Sequence, residues 1–460
     1  MHLNAVLKPF HGLFASKAFI MISTSPLPPG SMGLPLAGET LAFVSNVFGF
    51  LDDRQKRYGN VFKSSVLGRK IVFLAGTEGA EAFYNRENIS RSDAHLFPFV
   101  DLFGGINMEM YDGPKHFALK SMALTAFDHT AISGYLPDMQ RLIEATLSRL
   151  AQAGEFSAIV ELRRLAIETI CCNVMGLSPG PGTDEIRRDY GAVLTGLLSL
   201  PVALPGTSYG RARAARDRLL AGIRKVIRDR RTQPTADGLS RLLTAKAADG
   251  RVYTDDEAAL EVHHMVIAGF IVYALMAEAM RQLAEQPELR QRCWTEVREN
   301  IPAGPLTMEA LSKLHISTNV ILEAKRYVPL VPLAFGRAQR TFTCGGFQVP
   351  DGWTVYLALS LNNNDRTIYK NPDRFDPDRF SPPRAEHRKH PMAFIPQGAE
   401  PPTGHRCLGL DYATFLSVAF LALLVRGYEW ELPPQNLEYN WKTVPPQPRD
   451  GLRVSLRQLA

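Results

Sequence analysis

The chain has 460 residues, of which 45% are hydrophobic and 21% charged, enough apolar material for a substantial core. Its 52 Lys and Arg against 46 Asp and Glu leave a net charge of +6, and no basic stripe interleaved with aromatics appears, so a nucleic-acid-binding role is excluded. Five cysteines, two of them adjacent (Cys171 and Cys172), fit a reducing cytoplasm and not a disulfide framework.

Residues 1–25 are apolar in part but interrupted by Lys8, Pro9, His11 and Lys17. No run approaches the roughly 20 apolar residues that span a bilayer, and no signal-peptide core with a small-residue cleavage site is present. We read them as an N-terminal arm with at most peripheral membrane contact, Met21 being an alternative start. No linker, repeat or charge run divides the rest, so residues 26–460 are expected to form one domain.

Residues 61–73 alternate around Gly68-Arg69 and predict a β-hairpin. An apolar loop carries Phe97, Phe99 and Leu102. Asp112-Gly113-Pro114 then opens a helix with His116 and Lys120 four apart on one face. A Pro-broken apolar stretch, residues 200–207, joins two further helices. Thr254-Asp255-Asp256-Glu257 is a capping box, predicting a helix that runs to about Leu283. His263 and His264 are the basic residues inside it, and both read as core or surface histidines. Glu323 and Arg326 share a helical face and can pair. A strand and turn around Pro350-Asp351-Gly352-Trp353 precede Asn371-Pro372 and the segment Pro377-Asp378-Arg379-Phe380.

Cys407 ends a Gly/Pro-rich loop that begins Phe394-Ile395-Pro396-Gln397-Gly398 and closes Gly404-His405-Arg406-Cys407. An apolar helical run over residues 408–425 follows. A sulfur at a helix N-terminus is favoured as thiolate by backbone amides and the helix dipole. Gly409 lets the backbone pass close to a flat cofactor, and Gly427 ends the helix. One such soft ligand suits an axial position on haem iron. The other four cysteines read as buried structural residues.

The motifs from Glu323 to Cys407, in this order, resemble the cytochrome P450 superfamily, and the likeness extends over residues 28–456. It implies a mainly α fold with a smaller β region around a buried haem b, with Cys407 as axial ligand. It also implies a buried triad of Glu323, Arg326 and Arg379 that rigidifies the cysteine loop rather than adding net stability. His116, Lys120, Arg337 and His405 would meet the haem propionates. The long helix would cover the distal face, with Ala268-Gly269 in close approach and Phe270, Ile271, Val272 and Tyr273 shaping the pocket. Phe97, Phe99 and Leu102 are further candidates for substrate contact, and residues 200–207 for gating. The chain's opening and that gating loop resemble the retinoid- and sterol-type branch. The cysteine loop resembles the fatty-acid peroxygenase branch, yet that branch's Arg-Pro pair is absent, with no arginine between Arg251 and Arg281.

The family's usual Ala/Gly-Gly-x-acid-Thr stretch becomes Ala268-Gly269-Phe270-Ile271-Val272 here. Neither Ile271 nor Val272 can relay a proton, so no side-chain proton relay is identified. The resemblance implies a monomeric monooxygenase that oxidises a terpenoid, retinoid-like or fatty-acyl compound with electrons from a separate ferredoxin and reductase. Two other chemistries remain open: a peroxygenase driven by hydrogen peroxide, or a hydroperoxide isomerase. A non-catalytic haem sensor or carrier is the alternative from outside enzymology.

Overall fold

The computed structural model describes residues 25–301 and 303–459, so most of the N-terminal arm lies outside the described residues. The hairpin pairs Val61–Val66 with Arg69–Leu74, Val61 opposite Leu74 and Val66 opposite Arg69. Its two-residue turn, Leu67-Gly68, has φ of 48° and 76°. Positive φ at both positions is the turn whose twist matches that of the flanking strands. Arg69–Leu74 continues in parallel with Thr354–Leu357, which pairs antiparallel with Ala334–Ala338. Ile89–Ser90 adds the fifth strand. Ile71, Val72, Phe73 and Leu74 are all buried, as expected of a strand covered on both faces.

The rest is helical. Two of its helical segments, Asp255–Glu285 and Leu410–Gly427, are long and apolar enough to cross a membrane. Their most apolar windows are 78% and 67% buried inside the protein, which accounts for apolar residues on every face. Ala158–Met175 packs along both halves of the first, and His315–Tyr327 and His129–Ala153 pack on the second. The two therefore bound a common core.

The Thr254 hydroxyl accepts the Glu257 amide at 3.2 Å, and Glu257 Oε2 accepts the Thr254 amide at 3.2 Å. Beyond this capping box the expected continuous helix is divided into Asp255–Phe270 and Tyr273–Glu285. At the junction the amides of Val272, Ala274 and Leu275 reach carbonyls three residues back (Gly269, Ile271, Val272) instead of four. That is a local tightening to 3₁₀ geometry, and it falls on the pair that replaces the acid and threonine. The C-terminal helix begins at Leu410, not at 408, and ends at Gly427.

Candidate active site around Cys407

Cys407 is presented by a loop whose ends are tied together. Its amide donates to the Gln397 carbonyl at 2.8 Å, and Gly398, at φ 88°, turns the chain between them. Gln397 Nε2 lies 3.5 Å from the sulfur, a weak donor to a thiolate that sequence patterning does not reveal. Burial pushes the thiol above its ordinary pKa, against the pull of Lys120 and of the Gly409 amide. The helix end alone therefore does not secure the thiolate, and a bound cation is what would do so. A Cβ added to Gly409 would meet no atom within 4 Å, so the backbone beside the sulfur faces open space.

Behind this loop lies a buried charge network. Arg326 donates to Glu323 through Nε at 2.7 Å and a terminal nitrogen at 2.8 Å. Arg379 Nε reaches the same carboxylate at 3.0 Å, and all three side chains are wholly buried. Glu386 joins as a fourth member, 2.7 Å from Arg379. Burial alone would raise the Glu386 carboxyl, but bonds from Arg384 and Arg379 hold it below the ordinary range. The guanidiniums also donate to the carbonyls of Asn363 (3.0 Å), Pro372 (2.8 Å) and Arg374 (3.0 Å), pinning the segment that leads to the cysteine loop.

Three of the cationic candidates converge beside Cys407. Lys120, fully buried, donates to the Arg406 carbonyl at 2.8 Å and pairs with Glu109 at 3.3 Å. His405 stacks on His116 with ring centroids 3.9 Å apart. Its two nitrogens lie 3.5 Å from Glu109 and 3.4 Å from Asp112. Burial alone would lower the His405 pKa, yet these two carboxylates raise it. Burial, together with the His405 charge, lowers His116. Burial alone would raise the Glu109 carboxyl, but Lys120 and His405 hold it well below its usual range. His116 Nδ1 is 3.0 Å from the Met108 carbonyl, while its Nε2 and Arg406 Nε are buried without partners. A hollow of about 220 Å³ opens here, lined by His116, His405, Asp112 and the buried Arg91.

The long helical segment Asp255–Glu285 shows a sharp pattern. From residue 261 to 280, His264, Ala268 and Ile271 are not buried and every other residue is. They stand at i, i+4 and i+7, one stripe along one face. Ala268 is exposed in the middle of an otherwise buried helix, so no protein side chain packs over this face. Gly269 belongs to the packed side, where an added Cβ would lie 2.5 Å from Ile170. Phe270 and Val272 are buried. So is Tyr273, whose hydroxyl accepts from Arg163 at 3.0 Å. His263 and His264 have different surroundings. His263 is buried, 3.1 Å from the Tyr190 hydroxyl and 3.1 Å from the Leu102 carbonyl. His264 lies edge-on to Phe103 at 5.4 Å.

The remaining candidates fall elsewhere. Arg337 is exposed on its strand and pairs with Asp93 at 3.5 Å. Phe97 is 64% exposed, whereas Leu102 is fully buried. Phe99 stacks on Phe103 at 4.8 Å and contacts Phe335 at 4.9 Å. Glu109, Glu386 and Gln397 carry no periodic signal in the sequence, since each sits in a loop or a single 3₁₀ turn.

These residues fit a flat, dianionic metallocofactor. The sulfur is a single soft ligand, and among the described residues no group of three His, Cys, Asp or Glu side chains could hold a bare metal ion. Arg406, whose Nε is unpartnered, with Lys120 and His405 would supply a cationic edge for two carboxylates, and the unpartnered His116 Nε2 a further polar contact.

Comparison with known proteins accords with this geometry. The family model for Cytochrome P450 matches residues 28–448. Putative cytochrome P450 120 of Synechocystis sp. is 29% identical over 445 residues, covering 95% of this chain and 98% of that protein. Abscisic acid 8'-hydroxylase 4 of Arabidopsis thaliana is 27% identical, with coverages of 95% and 93%. A solved structure, retinoic acid bound cyanobacterial CYP120A1, superposes with a TM-score of 0.87 at 27% identity, covering 95% of this chain and all of that one. The chain therefore belongs to the cytochrome P450 family, as an oxidoreductase that carries haem b on a cysteine thiolate.

Proposed function

We propose that this P450 is a monooxygenase that hydroxylates a terpenoid- or retinoid-type molecule, with electrons from a separate ferredoxin and its reductase. The observation that carries this reading is the end-to-end likeness to a protein named abscisic acid 8'-hydroxylase and to one solved with retinoic acid bound, both isoprenoid acids. The stripe of Ala268 and Ile271 supports it, since an apolar wall selects by shape. Cys407 would hold the haem through its thiolate, and the group would supply the oxidising chemistry when bound. Glu323, Arg326 and Arg379 hold the segment leading to the cysteine loop, and Lys120 and His405 supply the cationic edge. Ile271 and Val272 carry no proton, so protons reach the cavity from ordered water or substrate. We place the protein in the cytoplasm as a monomer of one domain over residues 26–460, with any membrane contact peripheral.

One observation favours a second reading. The absence of a side-chain relay at Ile271-Val272 suits an oxidant that arrives already reduced, such as hydrogen peroxide. The deciding test gives purified protein a panel of terpenoids, retinoids and fatty acids under two conditions. One contains hydrogen peroxide. The other contains ferredoxin, its reductase and a nicotinamide donor, with catalase to remove leaked peroxide. Products in the electron-driven arm support the monooxygenase, and products confined to the peroxide arm replace it with a peroxygenase.

A further inference from the structure

Residues 432–452 leave the fold between Tyr428–Glu431 and Arg453–Gln458, two strands paired with each other, Glu431 opposite Ser455. The neck of this excursion is fastened. Gln435 exchanges hydrogen bonds with the Arg453 backbone, both at 2.7 Å. The Leu452 and Gly451 carbonyls accept the Ala158 and Ile159 amides at 2.8 and 3.2 Å. The tip is a short ladder, Tyr439–Asn440 against Gln447–Pro448, that joins no larger sheet. So small a hairpin is marginal by itself and depends on what it rests against. Among the described residues, two hydrogen bonds join it to the rest of the protein. The Tyr439 hydroxyl is bonded to Glu278, and Gln447 accepts from Arg163 at 2.9 Å. In the connecting turn, Trp441 stands edge-on to Phe48 at 5.6 Å. The excursion therefore reaches from Tyr273–Glu285, the second half of the long helix, to the helix Val47–Tyr58.

Glu278 is the unusual member of these contacts. Its carboxyl is buried, Gln282 donates to it at 2.8 Å, and it forms no ion pair among the described residues. Arg281 faces it on the same helix, but gives its Nε to Glu285 at 3.2 Å and lies over the Tyr439 ring at 5.1 Å. Tyr327 faces Glu278 from His315–Tyr327. Charged groups on the helices packed here are engaged elsewhere: Arg163 by Gln447 and Tyr273, and Lys325 by the Thr414 hydroxyl. Arg290 is likewise bonded to the Trp430 carbonyl, and Arg426 pairs with Glu144. Burial raises the Glu278 carboxyl to about 7, Arg281, Tyr439 and Gln282 opposing this only in part. Burial also holds the Tyr439 hydroxyl well above its ordinary pKa, so it stays protonated.

We propose that residues 432–452 are a pH-released strap, held on the end of the long helix while Glu278 is protonated and let go when it ionises. A neutral carboxyl bonds the Tyr439 hydroxyl at little desolvation cost. A buried carboxylate without an ion pair instead gains by reaching water, which lifting the strap allows. Closing therefore takes up a proton. Its contribution, complete below the pKa of the open strap, is lost as pH rises through that of the closed one. Lifting the strap also withdraws Trp441 from Phe48, which packs with Phe62 and Phe73 of the sheet. A proton at Glu278 is thus felt on the far side of the molecule.

The test is amide hydrogen exchange of the haem-loaded full chain at pH 6 and pH 8, each corrected for the intrinsic rate at that pH. The reporting amides are those of residues 439–449, among them Arg449, which donates to the Glu438 carbonyl at 3.0 Å. With a carboxyl pKa of about 7 closed and about 4.3 open, opening should rise about tenfold from pH 6 to pH 8. Leu410–Gly427 should keep its protection throughout. Glu278→Gln keeps the shape and cannot ionise, so its strap should show no such rise. Tyr439→Phe removes the hydroxyl alone and should increase opening about fivefold at pH 6. No rise in the unaltered protein, or an equal rise in Glu278→Gln, overturns the proposal. So does a Tyr439→Phe strap as well protected at pH 6 as the unaltered one.

Discussion

The two sides of the cavity are built on opposite principles. On the cysteine side, Glu323, Arg326, Arg379 and Glu386 are buried and bonded to one another, to backbone carbonyls and to the chain that leads to Cys407. On the distal side the wall is Ala268, Ile271 and a histidine without a hydrogen bond. The protein completes the first arrangement itself, whereas a ligand must complete the second. Buried polar bonding is thus concentrated on the cysteine side, and apolar surface on the other.

The sharpest break of the cysteine side is Cys407→Ala. It should abolish the thiolate-type haem spectrum and all turnover, because the other four cysteines lie in other elements, three in helices and one in a strand; absorption spectra of the purified variant check this. Next comes Glu323→Ala, which leaves two guanidiniums sharing a buried site with one fewer carboxylate. Removing one partner of a buried pair costs about 3–5 kcal/mol. Denaturant unfolding should show that loss, together with reduced haem content.

How much of this was legible follows the same division. Glu323 and Arg326 are readable because a helix places i and i+3 on one face, and Arg379 because it stands in a spaced motif. Glu386 is not, since it approaches Arg379 through a turn with no periodicity. The hairpin and the capping box are local chemistry and show directly in the sequence. The halves of the long helix are not separable that way, because no proline marks the step to three-residue hydrogen bonds at Ile271-Val272. Nor can adjacent histidines be told apart until Tyr190 and Leu102 are seen to engage one of them.

On the distal side, Ile271→Asp with Val272→Thr restores the acid and hydroxyl. If a relay is all that the helix lacks, product formed per electron pair consumed should rise, up to the order of 10²-fold that one positioned proton donor contributes. No gain would place the proton route elsewhere. Glu261 sharpens the contrast through pH. Burial raises its carboxyl to about 8, the Met108 amide at 2.6 Å opposing this only in part. The unfolded carboxyl has its ordinary pKa near 4.3. The folded state therefore binds the extra proton, and stability present below the unfolded value is lost as pH rises through the folded one. Glu261→Gln, which keeps the shape without the charge, should be stabilising relative to the unaltered protein by about 3–4 kcal/mol more at pH 8 than at pH 5. Thermal unfolding at the two pH values measures the difference.

The smallest expected effect is the most specific test of where the cationic edge lies. Arg337 was a candidate for the propionates on motif position alone, but its side chain is 45% exposed and its partner Asp93 77% exposed. An ion pair this open is worth about 0–1 kcal/mol and is screened by salt. Arg337→Ala should therefore leave the haem content and the absorption maximum unchanged, and stability should fall by at most that amount. Lys120→Ala removes a buried ammonium bonded to Arg406 and paired with Glu109, so haem retention should fall measurably in the same assay. Equal haem loss in both variants would mean that Arg337 turns inward when the cofactor binds. The cysteine side would then be completed by its ligand as well, and the contrast between the two walls would disappear.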